Sequence, residues 1–382
     1  MITRRMGVLL VVAWLAVGCA SAAARAPAAP PAAAPPAGAA SAPGGMGESA
    51  SARPAAPPLD PPQLVRVSYT QSAGEVPLYI GVEHGYFTEL GLEVELVRTP
   101  GSADSIVLIT AGQLEVAGLL ITPAFYNAVA RDVGVRMVAD RGSNVGSQSS
   151  FHLAVRADLL QHQPWTGYQN LRGLKVALPQ RGSMAEYYLE RMLQRGGLQL
   201  SDVEIVAPLT FPDMAAAFAN RGIDAALYLE PWATQQEEEG VIKRVVSVSD
   251  VAPGSHTAAL VYGDVFARNT QAARNFMVGW LRSVRHVTDV YAGYRDFQDI
   301  LTALKKYTAL KDDELIRKMP PTRMNPEGYL DPEKLAEYQD WFASRGLVPQ
   351  KADIAKVYDP SFAEYANAVL GPYRPDARPS GG

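Results

Sequence analysis

From Leu64 onward the chain switches repeatedly between two hydrophobic periods. Residues 64–69, Leu-Val-Arg-Val-Ser-Tyr, put an apolar side chain at every second position and read as a strand. Residues 92–97, 116–121 and 135–139 are further strand candidates. Between them the spacing lengthens to the helical period. Residues 76–87 read as a helix ending near Gly85, and Gly101-Ser102-Ala103-Asp104 opens another that stops at Gly112. Pro123 follows the third strand at a helix start, where its missing N–H costs nothing.

The alternation resumes near Phe151. Residues 153–156, 174–178, 203–207, 225–229 and 258–262 are strand candidates. A helix over 182–195 carries its stripe on Ala185, Tyr188, Leu189, Met192 and Leu193 and ends at Gly196-Gly197. A second helix covers 215–220. Beyond 262 the pattern is helical, with Ala273, Phe276, Met277, Trp280, Leu281, Val284 and Val287 on one face. Asp331-Pro332 and Asp359-Pro360 supply a capping carboxylate and a first-turn proline to two more helices. This order of elements predicts an α/β fold with mainly parallel sheets covered by helices.

The N-terminus follows different rules. Arg4 and Arg5 precede an apolar stretch over residues 8–17, and Leu15-Ala16-Val17-Gly18 leads into Cys19, the chain's one cysteine. The stretch is too short to span a bilayer. It resembles a bacterial lipoprotein signal, with residues 1–18 removed and Cys19 lipidated, which predicts an extracytoplasmic protein held at a membrane by acyl chains. Residues 20–63 are nearly all Ala, Pro, Gly and Ser and contain eleven of the 29 prolines. Such a segment has little to bury, so residues 19–63 read as a disordered, semi-extended tether. Residues 376–382 read as a tail.

Charge and cysteine usage narrow the function. The net charge is −4, and removal of Arg4 and Arg5 makes it about −6. No basic patch interleaved with aromatics is present, so nucleic acid is not an expected partner. With Cys19 lipidated, no disulfide can form. No later segment is long and apolar enough to cross a membrane. No His/Cys/Asp/Glu set shows metal-ligand spacing, and no nucleophile elbow or Ser/His/Asp constellation is evident, so neither a metal nor a cofactor is expected and the protein reads as a non-enzyme.

Several motifs together resemble a known family. They are Val76-Pro77-Leu78-Tyr79-Ile80-Gly81-Val82-Glu83-His84-Gly85-Tyr86-Phe87, then Leu90-Gly91-Leu92-Glu93-Val94-Glu95-Leu96, Gly112-Gln113-Leu114-Glu115, Leu171-Arg172-Gly173-Leu174-Lys175-Val176 and Gly222-Ile223-Asp224-Ala225 through Glu230-Pro231-Trp232. Their order and spacing resemble the NMT1/THI5-like (SsuA/nitrate/taurine) family of ABC-importer solute-binding proteins, over about residues 64 to 375. Gly81, where Ala is usual, and Glu115, often Asp, depart from its pattern. The resemblance implies a periplasmic-binding-protein type II fold. One lobe would hold residues 64–150 plus 257–375 and the other 151–256. A two-strand hinge would lie near Phe151 and His256. It also implies a monomer that closes on a small-molecule ligand and delivers it to ABC permease and ATPase subunits. A sensory binding subunit, or a metabolic enzyme of the same fold of the thiamine-pyrimidine type, are the alternatives.

In open α/β sheets the ligand sits beyond the C-terminal strand ends, where helix N-termini present free N–H groups. That rule selects Gln71-Ser72-Ala73, Gly101-Ser102 and Gly182-Ser183-Met184, a set suited to a sulfonate, nitrate or carboxylate, with Thr122 as a fourth, weaker wall. Each serine could equally cap its own helix. For Ser183 the family position favours ligand contact. Glu230 at the next opening would favour a ligand with N–H or cationic groups, or would cap its helix, and Trp232 would stack on a planar ligand such as a pyrimidine, or pack. Arg141 and His256 are further candidates at the cleft mouth, His256 the weaker because a lone histidine is usually structural.

Overall fold

The structure is a computed structural model that describes residues 55–144 and 149–375. These belong to one compact unit. The signal segment, the lipidated Cys19, most of the tether and the C-terminal tail lie outside the described residues.

Among the described residues, ten strands form two five-stranded sheets. The first contains β1 (Gln63–Tyr69), β2 (Leu92–Arg98), β3 (Val116–Leu120), β4 (Val135–Ser143) and β10 (His256–Gly263), in the order β2-β1-β3-β10-β4. The second contains β5 (Phe151–Arg156), β6 (Lys175–Ala177), β7 (Glu204–Val206), β8 (Ala225–Leu229) and β9 (Ile242–Ser247), in the order β7-β6-β8-β5-β9. β1 runs parallel to β2 and β3, and β6 runs parallel to β7 and β8. β10 and β5 are antiparallel to both of their neighbours. Both sheets are therefore mixed, because β5 and β10 are the strands that enter each sheet after the chain passes between the two.

The helical stripe read from the sequence packs as expected. Helix Thr270–Tyr291 sets Phe276, Trp280 and Leu281 against Val65, Val67, Val116 and Leu260 on one face of the first sheet. Burial of each such side chain contributes about 1.5–3 kcal/mol. The other face opens into a core that crosses between sheets. It runs from Ala117, Phe125 and Tyr126 through Leu335, Tyr338 and Phe342 to Tyr187, Tyr188, Leu189 and Leu153. Helix Pro332–Ser344 carries the middle of this core. Asp331 caps it by accepting from the Glu333 and Lys334 amides.

The expected tether boundary at residue 63 moves back toward the N-terminus. The Leu59 amide donates to the Leu90 carbonyl at 3.1 Å and the Gln63 amide to Gly91 at 2.9 Å. Asn275 Nδ2 donates to the Pro57 carbonyl at 2.8 Å, and Tyr365 donates to Ala55 at 3.0 Å. A proline-rich stretch keeps its carbonyls as acceptors, so side-chain donors on the body can hold it. Among the described residues, no helix is long and apolar enough to cross a membrane.

Candidate functional site

The C-terminal ends of β1, β3 and β4 share one edge of the first sheet, and that edge carries a deeply buried ion pair. The Arg141 guanidinium donates to Glu75 at 2.8 Å, with both side chains nearly excluded from solvent. Glu75 also accepts from the Thr70 amide at 2.9 Å, the Ser72 amide at 3.1 Å and the Tyr79 hydroxyl at 2.9 Å. Thr70, Ser72 and Tyr79 thus fix the carboxylate, and the carboxylate fixes Arg141. The guanidinium lies across β3 at Gly118, where an added Cβ would fall 2.1 Å from Arg141 Nε. Glycine at 118 is therefore the room that Arg141 occupies.

Two hydroxyls near this edge stand out. Ser68 Oγ, near the end of β1, and Thr122 Oγ1, just past the neighbouring β3, are buried and have no hydrogen-bond partner among the described residues. Thr122 occupies the N-cap of helix Pro123–Ala130 but makes no capping bond. A buried polar group left unpaired is costly, so such groups mark places where a ligand or water completes the bonding.

The remaining predicted residues divide. Ser102 accepts from the Leu120 amide at 3.0 Å, tying its helix to β3. Gly101 caps the same helix, and a Cβ there would meet open space. Gln71 is exposed and left-handed, with φ 60, turning the chain between β1 and the half-buried Ser72-Ala73. In the second sheet, Ser183 donates to the Gln180 carbonyl at 2.8 Å and makes no cap bond to helix Met184–Arg195. The Gly182 amide there is taken by Glu186, and the space of a Gly182 side chain is filled by Leu347. Met184 is buried in the shared core.

Glu230 has partners of its own. It is buried, accepts from Arg244 Nη1 at 2.9 Å, and accepts from the Thr234 amide at 3.1 Å at the start of helix Trp232–Glu238. Burial raises its pKa, against the pull of Thr234 and Arg244. The capping reading therefore describes its geometry. Beside it, His152 is pushed down to about 4 by burial and then by Arg244. Trp232 stacks on Phe211 at 5.3 Å, and Phe211 meets Phe151 at 6.1 Å, so an aromatic group borders the strand ends of the second sheet.

One arrangement escaped the sequence. Ser143, His256 and Asp140 meet where β4 pairs with β10. Ser143 Oγ lies 2.8 Å from His256 Nδ1 and donates to Asp140 at 2.8 Å. The far ring nitrogen of His256 accepts the Asp331 amide at 3.0 Å. That bond puts the neutral ring's proton on Nδ1, so the ring donates toward Ser143 and cannot take its proton. The group ties together β4, β10 and the start of helix Pro332–Ser344.

Comparison with known proteins agrees with this architecture. A family model described as NMT1/THI5 like matches residues 73–289. The Bacillus subtilis (strain 168) protein YtlA is 20% identical over 289 residues, covering 75% of this chain and 83% of the relative. The periplasmic aliphatic sulphonate binding protein SsuA from Escherichia coli superposes with a TM-score of 0.62 at 20% identity, covering 78% of this chain and 93% of that one. The periplasmic nitrate-binding protein NrtA from Synechocystis PCC 6803 gives 0.60 at 13% identity, covering 82% and 92%. These likenesses fix the fold as that of periplasmic binding proteins.

Proposed function

The chain belongs to the NMT1/THI5-like family, and on that premise we propose that it is a lipid-anchored, extracytoplasmic solute-binding protein. It takes a small organic or inorganic oxyanion into the cleft between its two lobes and hands it to an ABC permease and its ATPase. Two similar structures carry the names of sulphonate and nitrate binders. Both ligands present several acceptor oxygens on one small anion, and that shared chemistry is what this cleft offers to meet. The observation that carries the reading is the pair of buried hydroxyls, Ser68 and Thr122, without a partner among the described residues, at the edge of the sheet that also carries Arg141. Ligand oxygens would accept from those hydroxyls, and a charged acceptor gives the stronger bond. The Phe211–Trp232 face would hold an alkyl or aryl substituent. Catalysis is not part of the proposal, because His256 accepts the Asp331 amide and in that tautomer cannot take the Ser143 proton.

The test is a thermal-shift and calorimetric screen with nitrate, alkyl and aryl sulfonates, taurine and pyrimidines. A sulfonate or nitrate should raise the melting temperature by mass action, and Ser68→Ala with Thr122→Val should lower its affinity. Binding of pyrimidines alone would overturn the oxyanion assignment. For the anchor, Cys19→Ala should release the protein from the membrane fraction, and continued membrane retention would refute lipidation.

A further inference from the structure

At the far end of the short helix that follows Glu75, three helices bring two imidazoles and a carboxylate together. His84 follows helix Val76–Glu83, His286 lies in helix Thr270–Tyr291, and Asp299 sits in the first turn of helix Gln298–Tyr307. One ligand atom from each lies within 4.8 Å of the others. Asp299 bridges the pair through both oxygens, with Oδ2 2.8 Å from His286 Nε2 and Oδ1 3.6 Å from His84 Nε2. We propose that His84, His286 and Asp299 form a binding site for a divalent transition cation, with zinc as the fitting occupant and water completing the coordination.

The donor set is that of an open zinc site, two imidazoles and a carboxylate. Tetrahedral bonds of about 2.0–2.1 Å put neighbouring ligand atoms roughly 3.3 Å apart, and the two observed separations bracket that spacing. The outer shell also fits. The Tyr86 hydroxyl lies 2.8 Å from His286 Nδ1. A hydroxyl can donate or accept, so Tyr86 donates to Nδ1 when Nε2–H faces Asp299. It accepts from Nδ1–H when the Nε2 lone pair faces a metal. The ring can thus change role without losing a partner. His286 is buried and fixed, whereas His84 is exposed and offers the entry path. The neighbouring cations are already engaged: Arg282 pairs with Glu89 at 2.6 Å and lies over the Tyr86 ring, and Arg295 faces Asp289 at 3.5 Å. The site closes the far end of helix Val76–Glu83, about 12 Å along its axis from Glu75, and would clip the outer helices of the first lobe together.

The test uses the tag-free full-length chain, stripped with chelator and titrated with Zn²⁺ by calorimetry, with Co²⁺ as a spectroscopic probe and Mg²⁺ as control. One equivalent of Zn²⁺ should bind and raise the melting temperature, and Co²⁺ should give the intense visible bands of tetrahedral coordination. His84→Ala and Asp299→Asn should each weaken Zn²⁺ binding at least about tenfold and abolish the Co²⁺ bands, and Tyr86→Phe should weaken it by about tenfold. His84 is exposed, so its variant keeps the fold, which circular dichroism checks. Absence of saturable one-to-one binding would overturn the proposal and leave the cluster a hydrogen-bonded polar group. Binding unchanged in both His84→Ala and Asp299→Asn would also overturn it.

Discussion

Thr122→Val should make the unliganded protein more stable and its ligand weaker, two effects that rarely come from one substitution. Thr122 Oγ1 is buried and has no partner among the described residues. A hydroxyl in that state costs about 1–3 kcal/mol, and a methyl group of nearly the same shape removes the cost. The usual penalty for removing an N-cap threonine is about 1 kcal/mol, but Thr122 makes no capping bond, so that penalty is absent. The net expectation is a gain of about 1–2 kcal/mol, read as a higher urea midpoint with an unchanged slope. Binding should move the other way. A hydrogen bond to a charged ligand contributes about 1.5–3 kcal/mol, so affinity should fall by about 10- to 150-fold in calorimetry. A less stable unliganded variant would mean that the hydroxyl is already bonded. An unchanged affinity would mean that Thr122 does not touch the ligand. Either result refutes the reasoning.

Further expectations come from the same edge of the first sheet and from His152 in the second. Gly118→Ala must displace Arg141, since the new Cβ would fall 2.1 Å from Arg141 Nε; the variant should lose about 1–3 kcal/mol in urea denaturation and also bind the anion more weakly. Glu75→Gln leaves Arg141 buried without its counter-charge and should cost about 3–5 kcal/mol by the same assay. His152 gives a pH signature: its folded pKa, pushed down to about 4 from 6.5, means that its contribution is full above pH 6.5 and is lost as pH falls through about 4. That loss is about 3 kcal/mol. Glu230, raised by burial, acts in the opposite direction, so the wild-type loss is smaller than His152 alone would give. His152→Asn should flatten the decline in urea midpoint between those pH values, and an equally steep decline would show that His152 is not its source.

What the sequence revealed depended on whether a signal was local. β1, β2, β3 and β8 showed themselves by apolar runs or alternation, and Asp331-Pro332 marked a helix start that the cap geometry matches. β9, Ile242–Ser247, did not, because its Ile-Lys-Arg-Val-Val-Ser run breaks the period of two at an edge of the sheet. That omission also affected the site. Arg244 lies on β9, and without it Glu230 reads as an unpaired acid awaiting a cationic ligand. Thr122 was visible as a polar residue before Pro123 at a strand end, whereas Ser68 lies inside a strand and gave no sign. The Glu75–Arg141 pair spans 66 positions, and His84 and His286 are farther apart still, so no spacing rule could join them. The directions of β5 and β10 were hidden for the same reason, since they follow from where the chain crosses between sheets.

The contacts that join the two sheets differ on their two sides, and this constrains how the proposed cleft could open. On one face, helix Pro332–Ser344 packs against helix Met184–Arg195 within the shared core. There Tyr187 and Arg191 bind Glu337 at 2.7 and 2.5 Å, and the buried Tyr338 hydroxyl accepts the His256 amide at 2.9 Å. On the opposite face, where Ile316 and Ala233 belong to separate cores, the exposed side chains of Lys318 and Glu238 make an ion pair across the gap. An exposed pair is worth about 0–1 kcal/mol. Separating the first face would break buried bonds and expose aromatic surface, whereas separating the second need cost little. A hinged opening should therefore pivot on helix Pro332–Ser344 and part at Lys318–Glu238. The same side would then admit the ligand, next to the helix that begins at Trp232.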